Sequence, residues 1–126
     1  LRAAKIEKIA DYIPLQTIDT GKENAKVCIL GWGSTYGSIK SVSLDLIKEG
    51  YDVAHIHLRY LNPFPKNLGE LLSGFETILI PEMNNGQLIR LIRDKYLLPA
   101  IGLNKIKGLP FTTLEIREKV LELLNK

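Results

Sequence analysis

The sequence has a single cysteine, Cys28, which excludes an internal disulfide and any Cys-rich zinc or iron–sulfur site within the chain. Charge of one sign is also scarce. Seventeen Lys and Arg against fourteen Asp and Glu leave +3, and no segment concentrates the surplus, so nothing points to nucleic acid as a partner. Long apolar runs are missing. The longest uncharged stretch, Val27 to Ile39, is too short for a bilayer and is interrupted by Gly31, Gly33 and Gly37, so no membrane partner is expected. The N-terminus opens on Leu1-Arg2 and a charged, periodic segment rather than a signal peptide, so a cytoplasmic protein is expected. The only methionine is Met83, and the absence of an initiator is read as one domain taken from a longer chain.

At 126 residues the chain is expected to form one domain, residues 1–126, with a core that needs no staples. Apolar residues at 45% and charged residues at 25% are ordinary globular proportions, which argues against disorder. Ile6, Ile9, Ala10 and Ile13 recur at helical spacing, predicting a helix over 1–13 that Pro14 ends. Leu15 to Asp19 could form a short strand. Strands are predicted at Lys26–Gly31, Asp52–Arg59, Thr77–Ile80 (closed by Pro81) and Ala100–Ile106. Helices are predicted from the turn at Gly31–Gly37 to about Lys48, and at Asn67–Ser73, Gln87–Leu98 and Thr112–Leu124. Thr112 or Thr113 should cap the last, with Glu115 placed for a capping box. Strands alternating with helices imply parallel strands joined by right-handed crossovers, and strands this apolar imply a sheet covered on both faces. The expected architecture is a three-layer α/β/α sandwich.

Ligands of open α/β sheets sit beyond the carboxyl ends of the strands. Three loops of unusual composition fall there: Gly31 to Gly37, Arg59 to Pro65, and Glu82-Met83-Asn84-Asn85-Gly86-Gln87. The first resembles a phosphate loop, with Gly33, Ser34 and Thr35 able to offer N–H and hydroxyl donors. Its spacing is G-x-G-x-x-x-G, however, and Trp32 and Tyr36 add bulk where a dinucleotide needs bare backbone. Arg59 stands where the ribose-binding acid of a dinucleotide site would be. No P-loop lysine follows, and Ser34 does not sit in a nucleophile elbow. The structural alternative is that Ser34 or Thr35 caps the following helix and the glycines permit a tight turn. His55 and His57 share one strand face, but no third metal ligand is placed by spacing, so they read as hydrogen-bonded structural histidines. Cys28 reads as a small buried hydrophobe. Glu82 is positioned to favour the following helix N-terminus. Asn84, Asn85 and Gln87 make the cluster richer in amides than a turn requires, which leaves a turn or an interface open.

Four motifs in order carry a resemblance over essentially the whole chain. They are Gly31-Trp32-Gly33-Ser34-Thr35-Tyr36-Gly37; His57-Leu58-Arg59 with Leu61-Asn62-Pro63-Phe64-Pro65; Pro81-Glu82-Met83-Asn84-Asn85-Gly86-Gln87-Leu88; and Asn104-Lys105-Ile106-Lys107-Gly108-Leu109-Pro110-Phe111. Together they resemble the C-terminal region of the α subunit of 2-oxoglutarate:ferredoxin oxidoreductase (2-oxoglutarate synthase). The resemblance implies a fold like the transketolase C-terminal domain, with a five-stranded, mostly parallel sheet whose first strand, here Leu15 to Asp19, is antiparallel. It implies a parent enzyme that converts 2-oxoglutarate and coenzyme A to succinyl-CoA and CO2 while reducing ferredoxin. It also implies thiamine diphosphate, Mg and an iron–sulfur cluster held elsewhere in that complex, none of them in this domain. The implied partners are the other domains of the α subunit, the β subunit and, through the complex, ferredoxin. No catalytic residue carries over.

Three functions follow. The first is a non-catalytic assembly domain of that enzyme. The second is a module binding coenzyme A or another anion at the strand carboxyl edge, through Gly33, Ser34, Thr35 and Arg59. The third, a free-standing dinucleotide oxidoreductase, suffers from the wrong glycine spacing. The candidate ligand or interface residues are Gly33, Ser34, Thr35, Tyr36, Arg59, Glu82, Asn84, Asn85 and Gln87.

Overall fold

A computed structural model describes residues 8–83, 86–104 and 111–125. The apolar run after Lys26 forms β1 (Val27–Trp32), at the centre of a sheet. A single 3₁₀ turn, Gly33–Thr35, leads into α1 (Tyr36–Lys48). There follow β2 (Val53–Leu58), α2 (Leu68–Ser73), β3 (Thr77–Glu82), α3 (Gln87–Tyr96), β4 (Ile101–Asn104) and α4 (Thr113–Leu124). The strands lie in the order β2-β1-β3-β4, and every pairing is parallel.

The period-2 geometry of β1 sends alternate side chains to opposite cores. Cys28 and Leu30 join Ala54 and Ile56 of β2, Leu68 and Leu72 of α2, and Leu88 and Ile92 of α3. Val27 and Ile29 join Ile39, Val42 and Leu46 of α1 and Ile116, Val120 and Leu123 of α4. The sheet is thus covered on both faces, as the unbroken apolar strands require, and the three-layer sandwich expected from the alternation is the one observed. Among the described residues, no helix is long and apolar enough to cross a membrane.

The strand count departs from five. Among the described residues Leu15 to Asp19, expected as the antiparallel first strand, forms no strand; one isolated antiparallel bridge follows it, Thr20 against His55, at the free edge of β2. The direction and place are those expected, but the ladder is replaced by side-chain amides. Asn67 accepts from the Gln16 backbone N–H at 2.7 Å and donates to its carbonyl at 2.9 Å. Gln16 in turn donates through Nε2 to the His57 carbonyl at 2.9 Å. These bonds satisfy the edge without regular strand geometry.

Other boundaries shift for local reasons. β3 runs through Pro81 to Glu82 because its register with β1 ends at Leu79, so β1 asks no hydrogen bond of the proline. α3 stops at Tyr96, two residues early, where Leu97 turns left-handed at φ 56°. The capping box at Thr112 and Glu115 forms as expected. Of the expected helix over 1–13, residues 8–10 are helical and the first seven lie outside the described residues.

Candidate functional site

The helices after β1 and β3 leave on opposite faces of the sheet, α1 on one and α3 on the other. The carboxyl ends of these two neighbours therefore flank the topological switch point, where open α/β sheets place ligands. A crevice of 220 Å³ lies there, lined by Trp32, Gly33, Ser34, Thr35, Glu82 and Met83.

Its polar groups are largely spent on the fold. Glu82 is 1% exposed. One carboxyl oxygen accepts from the Leu88 backbone N–H at 2.7 Å and from the Trp32 indole at 3.4 Å; the other accepts from the Ile89 N–H at 3.2 Å. A side chain from the preceding strand thus satisfies two free donors of the first turn of α3, as anticipated for Glu82, and complements the positive end of the helix. Gly86, at φ 80°, supplies the turn before α3, and Gln87 is its exposed first residue. Asn84 and Asn85 lie outside the described residues.

The Gly31–Gly37 segment corrects one expectation. Thr35 occupies the N-cap position of α1, but its side chain makes no cap hydrogen bond to the helix. The Thr35 hydroxyl donates backwards to the Trp32 carbonyl at 2.9 Å, tightening the 3₁₀ turn, while Ser34 stays exposed. Gly33 is demanded by conformation, since it sits at φ 64° with open space around the missing Cβ. Gly31 is demanded by packing, because a Cβ there would fall 2.5 Å from Ile39 Cδ1 and 3.1 Å from Thr35 Oγ1.

Arg59 and Tyr36 line a different cavity. A groove of 340 Å³ at the carboxyl end of β2 is walled by Pro14 to Thr17, Asp19, Tyr36, His57, Arg59 and Tyr60. The structure therefore divides the candidate residues: Gly33, Ser34, Thr35 and Glu82 share the crevice, while Tyr36 and Arg59 share the groove.

Asp19, which motif reasoning left in an uncertain strand, organises the groove. It accepts from Lys40 Nζ and Thr20 Oγ1 on one oxygen and from Tyr36 O–H on the other, each at 2.9 Å. Burial alone would raise its carboxyl pKa, but the bonds from Lys40, Tyr36 and Thr20 and the nearby His55 outweigh that and hold it at about 2. His55 is completely buried with its Nδ1 3.6 Å from Asp19, and neither ring nitrogen has a hydrogen-bond partner. The hydrogen-bonded histidine expected here is thus not what forms. Burial drives the His55 pKa down to about 4, against the pull of Asp19 and with help from His57 and Lys40. His57 is lowered too, first by burial, opposed by Asp19 and reinforced by Arg59. His57 packs edge to face on Tyr36, with centroids 4.8 Å apart, and on His55 at 6.0 Å.

No group of three or more His, Cys, Asp or Glu that could hold a metal ion is gathered among the described residues. Cys28 is fully buried in β1, and burial pushes its thiol pKa well up, against a backbone contact from Ile56. With that single cysteine sealed in the core, the thiolate set of an iron–sulfur cluster does not fit these residues.

Against known proteins, residues 25–117 match the family described as pyruvate:ferredoxin oxidoreductase core domain II. The 2-oxoglutarate oxidoreductase subunit KorA of Mycobacterium tuberculosis is 43% identical over 116 residues, which is 92% of this chain and 18% of that protein. Among solved structures, the 2-oxoglutarate:ferredoxin oxidoreductase of Magnetococcus marinus, with 2-oxoglutarate, coenzyme A and succinyl-CoA bound, superposes with a TM-score of 0.86 at 28% identity. That match covers 94% of this chain and 21% of that one. Transketolase from Campylobacter jejuni superposes at 0.59 with 12% identity over 85% of this chain and 18% of its own, a likeness of fold. The chain spans about a fifth of the length of the Mycobacterium tuberculosis and Magnetococcus marinus proteins.

Proposed function

The chain belongs to the pyruvate:ferredoxin oxidoreductase core domain II family, and from that premise we propose that it is a non-catalytic assembly domain of a 2-oxoacid:ferredoxin oxidoreductase α subunit. The parent enzyme, in the cytoplasm, would convert 2-oxoglutarate and coenzyme A to succinyl-CoA and CO2 and pass the electrons to ferredoxin. The observation that carries the reading is the fit of nearly the whole chain, at a TM-score of 0.86, to part of a 2-oxoglutarate:ferredoxin oxidoreductase. The 43% identity to a 2-oxoglutarate oxidoreductase subunit favours 2-oxoglutarate among oxoacids.

The site chemistry supports the non-catalytic half. At the switch point, where an enzyme of this fold class would hold its ligand, the buried carboxyl of Glu82 is engaged by two backbone N–H groups and an indole. The Thr35 hydroxyl is turned onto Trp32. A general base needs a proton to reach and an oxyanion site needs free donors; these groups offer little of either. Thiamine diphosphate, Mg and the iron–sulfur cluster are assigned to the rest of the complex, and the thiamine cofactor would supply the carbanion chemistry of decarboxylation there. The partners of this domain are then the sister domains of the α subunit, the β subunit and, through the complex, ferredoxin. Exposed Ser34 and Gln87, with Asn84 and Asn85, are the contacts assigned to that assembly.

The test is ferredoxin reduction by the intact complex. The reading expects turnover with 2-oxoglutarate and coenzyme A, well above that with pyruvate. In Ser34→Ala and Gln87→Ala complexes, it expects turnover per assembled complex within about twofold of the parent. Absence of oxoacid-dependent reduction would overturn the enzyme assignment. A hundredfold loss of kcat in a fully assembled variant would overturn the non-catalytic role.

A further inference from the structure

The groove at the end of β2 is not used by that reading. We propose that it is a binding site for a small organic carboxylate, held by Arg59 and His57 against the apolar wall of Leu15 and Tyr60.

The charge balance points to a single negative group. Asp19 is the one acid lining the groove, and its two oxygens are already met by Lys40, Thr20 and Tyr36. Arg59 is exposed and makes no hydrogen bond or ion pair among the described residues. The histidines, held neutral at pH 7 by burial, add no charge. One uncompensated guanidinium therefore remains, and its planar fork matches a carboxylate. His57 lines the groove with Nδ1 buried and unpartnered, so its single ring proton is of use only on the other nitrogen, Nε2.

The walls point to an organic body rather than a bare ion. Leu15 is 55% exposed and Tyr60 44% exposed, and both flank the same groove as the cation. Exposed apolar side chains beside an unpaired arginine suit a ligand with a hydrocarbon part and a charged end. At 340 Å³ the cavity stands at the small end of the roughly 300–1,000 Å³ typical of ligand sites. The inference does not depend on which oxoacid the parent enzyme consumes.

Hydrogen exchange followed by mass spectrometry on the intact protein tests it, because the readout is local. The probes are hexanoate, neutral hexanamide and inorganic phosphate. Hexanoate should slow exchange saturably in peptides covering residues 14–20 and 55–60. Hexanamide should not. Arg59→Gln should raise the hexanoate Kd at least tenfold, Arg59→Lys less, and Lys66→Gln should leave it unchanged. Protection that is absent with hexanoate, equal with hexanamide, or intact in Arg59→Gln would overturn the site. Protection by phosphate in place of hexanoate would overturn the organic-acid assignment. Ferredoxin reduction by the same samples tells failure of this site apart from failure of the enzyme reading.

Discussion

Glu82, at the end of β3, has three hydrogen-bond donors within 3.4 Å of its carboxyl; Arg59, at the end of β2, has no partner among the described residues. Both sit on the carboxyl edge of one sheet. The first belongs to the topological switch point, the place where fold alone would put the ligand. There the polar groups close on each other and hold α3 to β1 and β3. The second lies at the outer strand, where the missing ladder leaves a cavity between the 14–19 segment and α1. Position in the fold and availability of polar groups are separate questions, and here they favour different ends of the same edge.

The largest break in this comparison should come from Glu82→Ala. It strips a charged-group acceptor from two backbone N–H groups and one indole in a buried setting, and should cost about 3 kcal/mol by denaturant unfolding. Glu82→Gln keeps one acceptor and should cost about half as much.

His55→Phe should act comparably but in the opposite sense, and only in acid. The folded pKa of about 4 lies below the ordinary 6.5, so the unfolded chain takes up a proton between these values that the folded chain refuses. Stability contributed by the neutral ring is therefore complete above pH 6.5 and lost as pH falls towards 4, about 3 kcal/mol in all. Phe removes that loss, and the melting temperature of the variant should fall less than the parent's from pH 6.5 to 4.5, the remaining fall coming from His57, whose pKa burial also lowers. Asp19 acts lower down. Its contribution holds above pH 3.8 and disappears as pH falls through about 2, so it does not disturb the histidine window.

Gly31→Ala is a smaller perturbation. The new methyl must displace Ile39 Cδ1, the tip of a side chain, but in a fully buried site. A loss of about 1–2 kcal/mol is expected, measured by thermal unfolding.

What could be read from the sequence follows from how local each feature is. Val27 to Leu30 announces a buried strand because four apolar residues in succession must be covered on both sides, and the Thr112–Glu115 box announces its helix by spacing alone. The cap by Glu82 was legible for the same reason, since a carboxyl just ahead of a helix meets free N–H groups wherever the chain goes. The β2 groove was not legible. Asn67 reaches Gln16 across 51 residues and Tyr36 reaches Asp19 across 17, and no spacing rule joins such pairs. The strand expected at 15–19 failed through those contacts, because side-chain amides took the place of its backbone ladder. Arg59 was singled out by its position after β2, but its company came from these distant partners.

The most direct test sets Glu82→Ala beside Arg59→Gln in the same intact protein, with unfolding and hexanoate binding measured for each. The predicted result is a crossed pattern. Glu82→Ala lowers stability by about 3 kcal/mol and leaves the Kd of the folded protein unchanged, while Arg59→Gln shifts stability by no more than about 0.5 kcal/mol and raises the hexanoate Kd at least tenfold. If Arg59→Gln unfolds the protein, or Glu82→Ala leaves it stable and removes binding, the division of the sheet edge into a structural crevice and a ligand groove is wrong.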